Sequence, residues 1–150
     1  MRAILFGLIA LSLGCGGASS TSAGATTLSG AYSLSGVDRN PKAAACYTSP
    51  SDPSLIVYLA RATLTFDAAG TGTLNSFFET RRNSDASLVS TSTTTQAITY
   101  VRAGSTLTIT SNGSPGNGQV DPGDATLWTK QPWCTGLKDA SATQRFDFAR

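Results

Sequence analysis

Histidine is absent from the 150-residue chain, and glutamate occurs once, at Glu79. The first absence removes the commonest general base and metal ligand, so a Ser-His-Asp triad and a histidine-bearing zinc set are both excluded. The second leaves only aspartates, most of them in turn sequences, so the two placed carboxylates of a glycosidase are not found. No Gly-x-Ser-x-Gly elbow occurs, and no Gly-Lys-Ser/Thr follows Gly116-Asn117-Gly118 to make a phosphate loop. Asp121 and Asp124 flank Pro122-Gly123 without the ligand spacing of a calcium loop, and read as a turn. Charge is scarce as well, at 13% of residues against roughly 25% in ordinary domains. A formal charge of +2 with one basic pair, Arg81-Arg82 at a strand end, gives nucleic acid no footprint. This inventory predicts a protein that is not an enzyme, with no cofactor and no metal.

What is present begins with an address. Arg2 precedes the apolar run AILFGLIALSL, which ends at the small residues around Gly14. A charged residue, an apolar stretch of this length and a small-residue end are the parts of a secretory signal peptide. A spanning helix needs about 20 apolar residues, more than this run supplies. Leu11-Ser12-Leu13-Gly14-Cys15 resembles the lipobox of bacterial lipoproteins. That resemblance implies removal of residues 1–14 and a diacylglycerol on the Cys15 thiol, holding the protein to a membrane. Gly16, in place of Asp, implies the outer membrane by similarity to the sorting rules of such proteins. Residues 15–27, rich in Gly, Ser, Ala and Thr, form a flexible linker of roughly 20 Å.

With Cys15 assigned to lipid, Cys46 and Cys134 remain as an even pair in an oxidising compartment. A disulfide between them closes a long loop and stabilises by up to about 4–5 kcal/mol in the chain-entropy account.

Residues 28–150 read as one all-β domain. Leu28, Gly30, Tyr32 and Leu34 alternate with Ser29, Ala31, Ser33 and Ser35, the period of a half-buried strand. Residues 36–53, with Asn40-Pro41 and two further prolines, read as a long irregular connection carrying Cys46. Residues 55–66 and 71–78 form a hairpin about the turn Asp67-Ala68-Ala69-Gly70, with Leu64, Phe66, Gly72, Leu74 and Phe78 sharing an inward face. A Thr-rich strand over 88–101 turns at Arg102–Ser105 into a strand over 106–110. Residues 112–124 read as loop or hairpin tip, and strands near 125–130 and 143–149 complete the chain. Trp128 is expected in the core and Trp133 against the disulfide. Seven to eight turn-separated strands without a helix predict a single antiparallel meander barrel, or a sandwich.

Gly30-Ala31-Tyr32 on the first strand and Phe146-Asp147-Phe148-Ala149-Arg150 at the end resemble the Gly-x-Trp entry and closing Arg of lipocalins. The resemblance to small lipocalin-like bacterial lipoproteins implies a barrel that takes a small apolar ligand, with Tyr32, Tyr58, Phe78, Tyr100 and Trp128 as its lining. Small inward residues, Gly30, Gly72 and Ser76, agree with a partly open interior. Two alternatives stand beside it: a surface that binds a protein partner, as small β-barrel inhibitors of lysozymes and proteases do, and a purely structural envelope lipoprotein.

Overall fold

The computed structural model describes residues 27–39, 43–134 and 144–150. The expected signal segment 1–14, Cys15 and all of the linker except Thr27 lie outside the described residues.

Short β-branched and aromatic runs separated by Asp, Asn, Gly and Pro turns fold as strands, and among the described residues there is no helix. The strands are β1 (Gly30–Val37), β2 (Ala44–Thr48), β3 (Leu55–Phe66), β4 (Thr71–Arg82), β5 (Leu88–Ala103), β6 (Thr106–Ser111), β7 (Ser114–Val120), β8 (Thr126–Gln131) and β9 (Gln144–Ala149). From β3 to β9 each strand pairs antiparallel with the next. β1 then inserts between β9 and β3, pairing Ser33 with Ala149 on one side and Gly30 with Phe66 on the other. The sheet thereby closes as an eight-stranded barrel, and β2 is a ninth strand outside the ring, paired to β3.

The expected hairpin forms, and across it Leu64 faces Leu74, Phe66 faces Gly72 and Leu59 faces Phe78. Its turn is closed by Asp67, whose carboxylate accepts from the Ala69 and Thr71 amides and the Thr71 hydroxyl. Those bonds, the Thr71 hydroxyl foremost, hold Asp67 below the usual carboxylate range.

Two stretches read as irregular are partly strand. Residues 36–53 contain the end of β1 and all of β2, because a bulge between Ala45 and Tyr47 lets Cys46 point inward while the flanking residues pair with β3. Within 112–124 only Asn112-Gly113 and residues 121–124 lie outside strands. Asn112 and Gly113 both take positive φ, 48° and 75°, the two-residue hairpin turn that Asn-Gly favours. The glycines that follow serve β7 itself. A Cβ on Gly116 would stand 2.1 Å from the Lys130 carbonyl oxygen, and one on Gly118 2.0 Å from that of Trp128. β7 thus needs glycine to lie this close to the β8 backbone, and the composition that suggested a loop marks a barrel corner.

Large side chains occupy the barrel interior. Tyr32, Leu64, Phe146, Phe148, Leu107, Ile109, Val120 and Leu127 are all buried, and Phe66 packs edge-on against Tyr32 and Tyr100 at 5.7 and 4.9 Å. The small inward residues do not open space: Gly30 is exposed, and a Cβ on Gly72 would stand 2.2 Å from the Thr65 carbonyl oxygen. Trp128, expected in the core, is instead on the outer wall. Trp128 is half-buried with Arg145 over its ring at 4.6 Å, while Trp133 packs on Phe146 and Phe148 at 5.1 and 6.2 Å. The Cys46–Cys134 disulfide is present, with Cα atoms 4.4 Å apart and both cysteines buried.

Candidate functional site

The strands are not of equal length, and this sets the surface. β6, β8 and β9 have 6 residues each, whereas β3 and β4 have 12 and β5 has 16. β5 pairs with β6 only from Ile98 to Ala103, but with β4 from Leu88 to Thr99. β3 pairs with β1 only from Thr63 to Phe66, and its first half pairs with β2. The first half of β3, the second half of β4 and the first part of β5, edged by β2, therefore run past the barrel as an overhanging sheet.

That sheet leaves the barrel end that carries the Asn112-Gly113 turn, Trp133 and the disulfide. Leu28, where the chain enters the barrel, sits at the opposite end, its amide and carbonyl bound to the Tyr100 hydroxyl at 2.9 and 2.7 Å. The base of the overhang is firm. Val57 and Leu59 are buried, Phe78 and Ala44 pack against the core cluster, and Cys46 is tied to Cys134. Its outer face is polar and internally paired. Arg81 binds Glu79 through two nitrogens at 2.7 and 2.9 Å, Arg61 lies 4.3 Å from the Phe77 ring, and the Thr95 hydroxyl donates to Asn75 at 2.6 Å.

The free margin is β5. Every residue from Leu88 to Thr95 is exposed, on both faces of the strand. Three of the four large exposed apolar side chains among the described residues, Tyr47, Leu88 and Val89, lie on the overhang.

The five residues expected to line a ligand site do not converge. Tyr32 and Tyr100 are interior, and their hydroxyls are bound within the protein, Tyr32 donating to the Asp124 carbonyl at 3.0 Å. Burial pushes the Tyr32 phenol above its ordinary value. Tyr58 and Phe78 are half-buried on the overhang, facing opposite sides of it, and Trp128 is on the barrel's outer wall. Surface depressions of about 230 Å³ beside Arg61 and Phe77 and about 360 Å³ beside Ser54 and Arg82 open to solvent, and none of the five residues lines either.

At the entry end, Arg102 is buried and holds Asp124 through both guanidinium nitrogens at 2.8 and 3.0 Å, and Arg150 lies 4.8 Å above the Tyr32 ring. Asp121 accepts from the Thr126 amide at 2.8 Å. Both aspartates of the Pro-Gly turn are thus engaged, and among the described residues no cluster of metal-ligating side chains forms. Arg102 escaped the sequence reading because it stands beside a turn, where a charge is ordinarily solvated. The overhang has a signal in the sequence: a strand of 14 or more residues is too long for a barrel most of whose other walls are about half that length.

Comparison with protein-family models, with curated proteins and with solved structures returns no match for this chain.

Proposed function

We propose that the protein is a lipid-anchored, non-enzymatic envelope protein that docks a protein partner through its overhanging sheet. The observation that carries this reading is the overhang itself, a two-faced, ordered β-surface pinned at its base by a disulfide and set opposite the barrel's entry. A strand exposed on both faces and along one edge is the means by which proteins add a strand from elsewhere. Anchoring through Cys15 at the outer membrane is supported by the order of Arg2, apolar run and Gly14-Cys15. The lipocalin-like reading, with a small apolar ligand inside, is supported by the sequence likeness at the two ends of the domain, but an interior occupied by Tyr32, Phe66, Phe146 and Phe148 argues against it.

Two experiments test the proposal. A photo-reactive amino acid at Thr91, in cells, is expected to cross-link a protein, whereas the same group at Ala31 on β1 is not. Equal labelling at the two positions, or none at Thr91, would refute partner docking. For the anchor, an alkyne fatty acid is expected to label the wild type and leave Cys15→Ser unlabelled. Native mass spectrometry separates the ligand reading, since a reproducible extra mass shed on denaturation would restore it.

A further inference from the structure

Natural sheets guard a free edge with charge, proline, glycine bulges or short length, because unpaired amides and carbonyls recruit another strand. The outer edge of β5 carries almost none of these. No charged residue lies between Asp85 and Arg102, and β5 contains neither Gly nor Pro. Its one irregularity, at Val89, is confined to the tip. Residues 88–97 have no strand beyond them among the described residues, leaving an edge on the order of 30 Å long. The other free margin, β2, also lacks charge, Gly and Pro, but it has only 5 residues, is bulged at its middle, and is stapled by the disulfide.

We infer that the β5 edge pairs with the β5 edge of a second copy of this chain, antiparallel about a two-fold axis at Thr93. This inference rests on the docking role proposed above and names the partner. The reason for choosing a second copy is self-complementarity. Centring on Thr93 sets Val89 opposite Ala97, Ser90 opposite Gln96, Thr91 opposite Thr95 and Ser92 opposite Thr94. Every pair is apolar with apolar or neutral hydrogen-bonding with neutral hydrogen-bonding, and no like charges meet. Parity is satisfied, since the two members of each pair occupy equivalent positions in the period-two alternation. A β5–β5 contact is also closed, whereas β5 on the partner's β2 would propagate into a fibre. An edge about 30 Å long and one sheet thick, about 10 Å, covers less than the roughly 800 Å² per partner of a standard interface, so the pair belongs to the weak, reversible class. Because the strands run antiparallel, the two barrels lie at opposite ends of the joined sheet and their entry ends point apart.

The full-length chain, expressed with its own N-terminal segment in a bacterial envelope, gives the trial. Thr93→Cys places the new thiol on the axis, within the Cα separation a disulfide accepts. It is expected to yield a band of twice the monomer mass on a non-reducing gel, while Ala31→Cys stays monomeric. In that background Thr91→Lys with Thr95→Lys opposes like charges twice and is expected to lower the dimer fraction by roughly tenfold, whereas Thr91→Lys with Thr95→Glu is expected to restore it. All of these positions are exposed, and an unchanged circular dichroism spectrum excludes misfolding as the cause. No dimer above the Ala31→Cys background, a ladder of higher multimers, or two charge variants that behave alike would each overturn the inference. A Thr93→Cys adduct of a different mass would overturn the second copy while leaving partner docking intact.

Discussion

β5 is one strand in two environments, and its halves behave differently. From Ala97 onward exposed and buried residues alternate, with Ile98, Tyr100 and Arg102 inside and Thr99, Val101 and Ala103 outside. Before Gln96 nothing is buried at all. Both halves have strand-forming residues and each is paired along at least one flank, to β4 from Leu88 to Thr99 and to β6 from Ile98 to Ala103, so the presence of a backbone ladder is not what separates them. The difference is closure. Where the sheet curves round on itself, one face joins the core cluster through Ile98 and Tyr100 and excludes water; where it overhangs, that face meets little. The barrel half is therefore held by apolar burial at about 25 cal/mol per Å², and the free part of the overhang chiefly by its ladder of hydrogen bonds. Stability should be unequal in the same proportion, with the overhang margin among the first amides to exchange.

The sharpest way to break the comparison is to empty the barrel. Phe146→Ala is expected to destabilise by about 3–5 kcal/mol in urea unfolding, with barrel and overhang lost together, since the overhang has no core of its own. An effect under about 1 kcal/mol would show that the interior is less tightly filled than its burial implies. Removing the tie between the halves comes next. Cys46→Ala with Cys134→Ala is expected to cost about 2–4 kcal/mol, and hydrogen exchange should show protection falling at β2 before it falls at β9. Tyr100→Phe is smaller. Its hydroxyl accepts from the Leu28 amide and faces the Leu28 and Asp67 carbonyl oxygens at 2.7 Å, so its loss should cost about 1–3 kcal/mol and loosen the entry end alone.

A titration gives a lesser effect. Asp52, Asp67 and Asp85 each have a depressed carboxyl pKa, from hydrogen bonds to Ser54, Thr71 and Ser87 in turn. A depressed acid contributes stability that is complete above its unfolded value, near 3.8, and is lost as the pH falls through the folded one. Melting temperature should therefore hold steady down to about pH 4 and decline below it, and Asp67→Asn should flatten that decline. At the bottom of the scale, Thr91→Ala or Thr93→Ala should change stability by less than about 0.5 kcal/mol, because neither residue is covered. A large loss there would mean that something covers this margin.

How much of this was written in the sequence depends on which rule the residues obeyed. Period-two alternation in residues 28–34 and the turn at Asp67–Gly70 placed strands, with Tyr32, Leu64, Phe66 and Leu74 on their inward faces, because in the barrel one face really is buried. The disulfide followed from counting cysteines. Two kinds of feature resisted. Gly116, Pro115 and Gly118 carry the composition of a loop yet form β7, since the demand on them comes from a neighbouring backbone that no local pattern records. Arg102 is buried only because Asp124 comes to meet it from a turn 22 residues away. The candidate surface was half legible: the Thr-rich strand was seen, but its significance lay in the shortness of the other walls.

The order of strands in the ring has a consequence for how such a chain acquires its shape. β1 sits between β3 and β9, and Ser33 pairs with Ala149. A polypeptide that emerges in sequence order can zip β3 to β8 from neighbouring hairpins, but its first strand has one flank open until its last strand arrives. Ring closure is then a contact across nearly the whole length, the kind that loop entropy makes slow. A chain in transit through a narrow channel stays an unclosed ribbon, and the barrel becomes a barrel only when β9 is out.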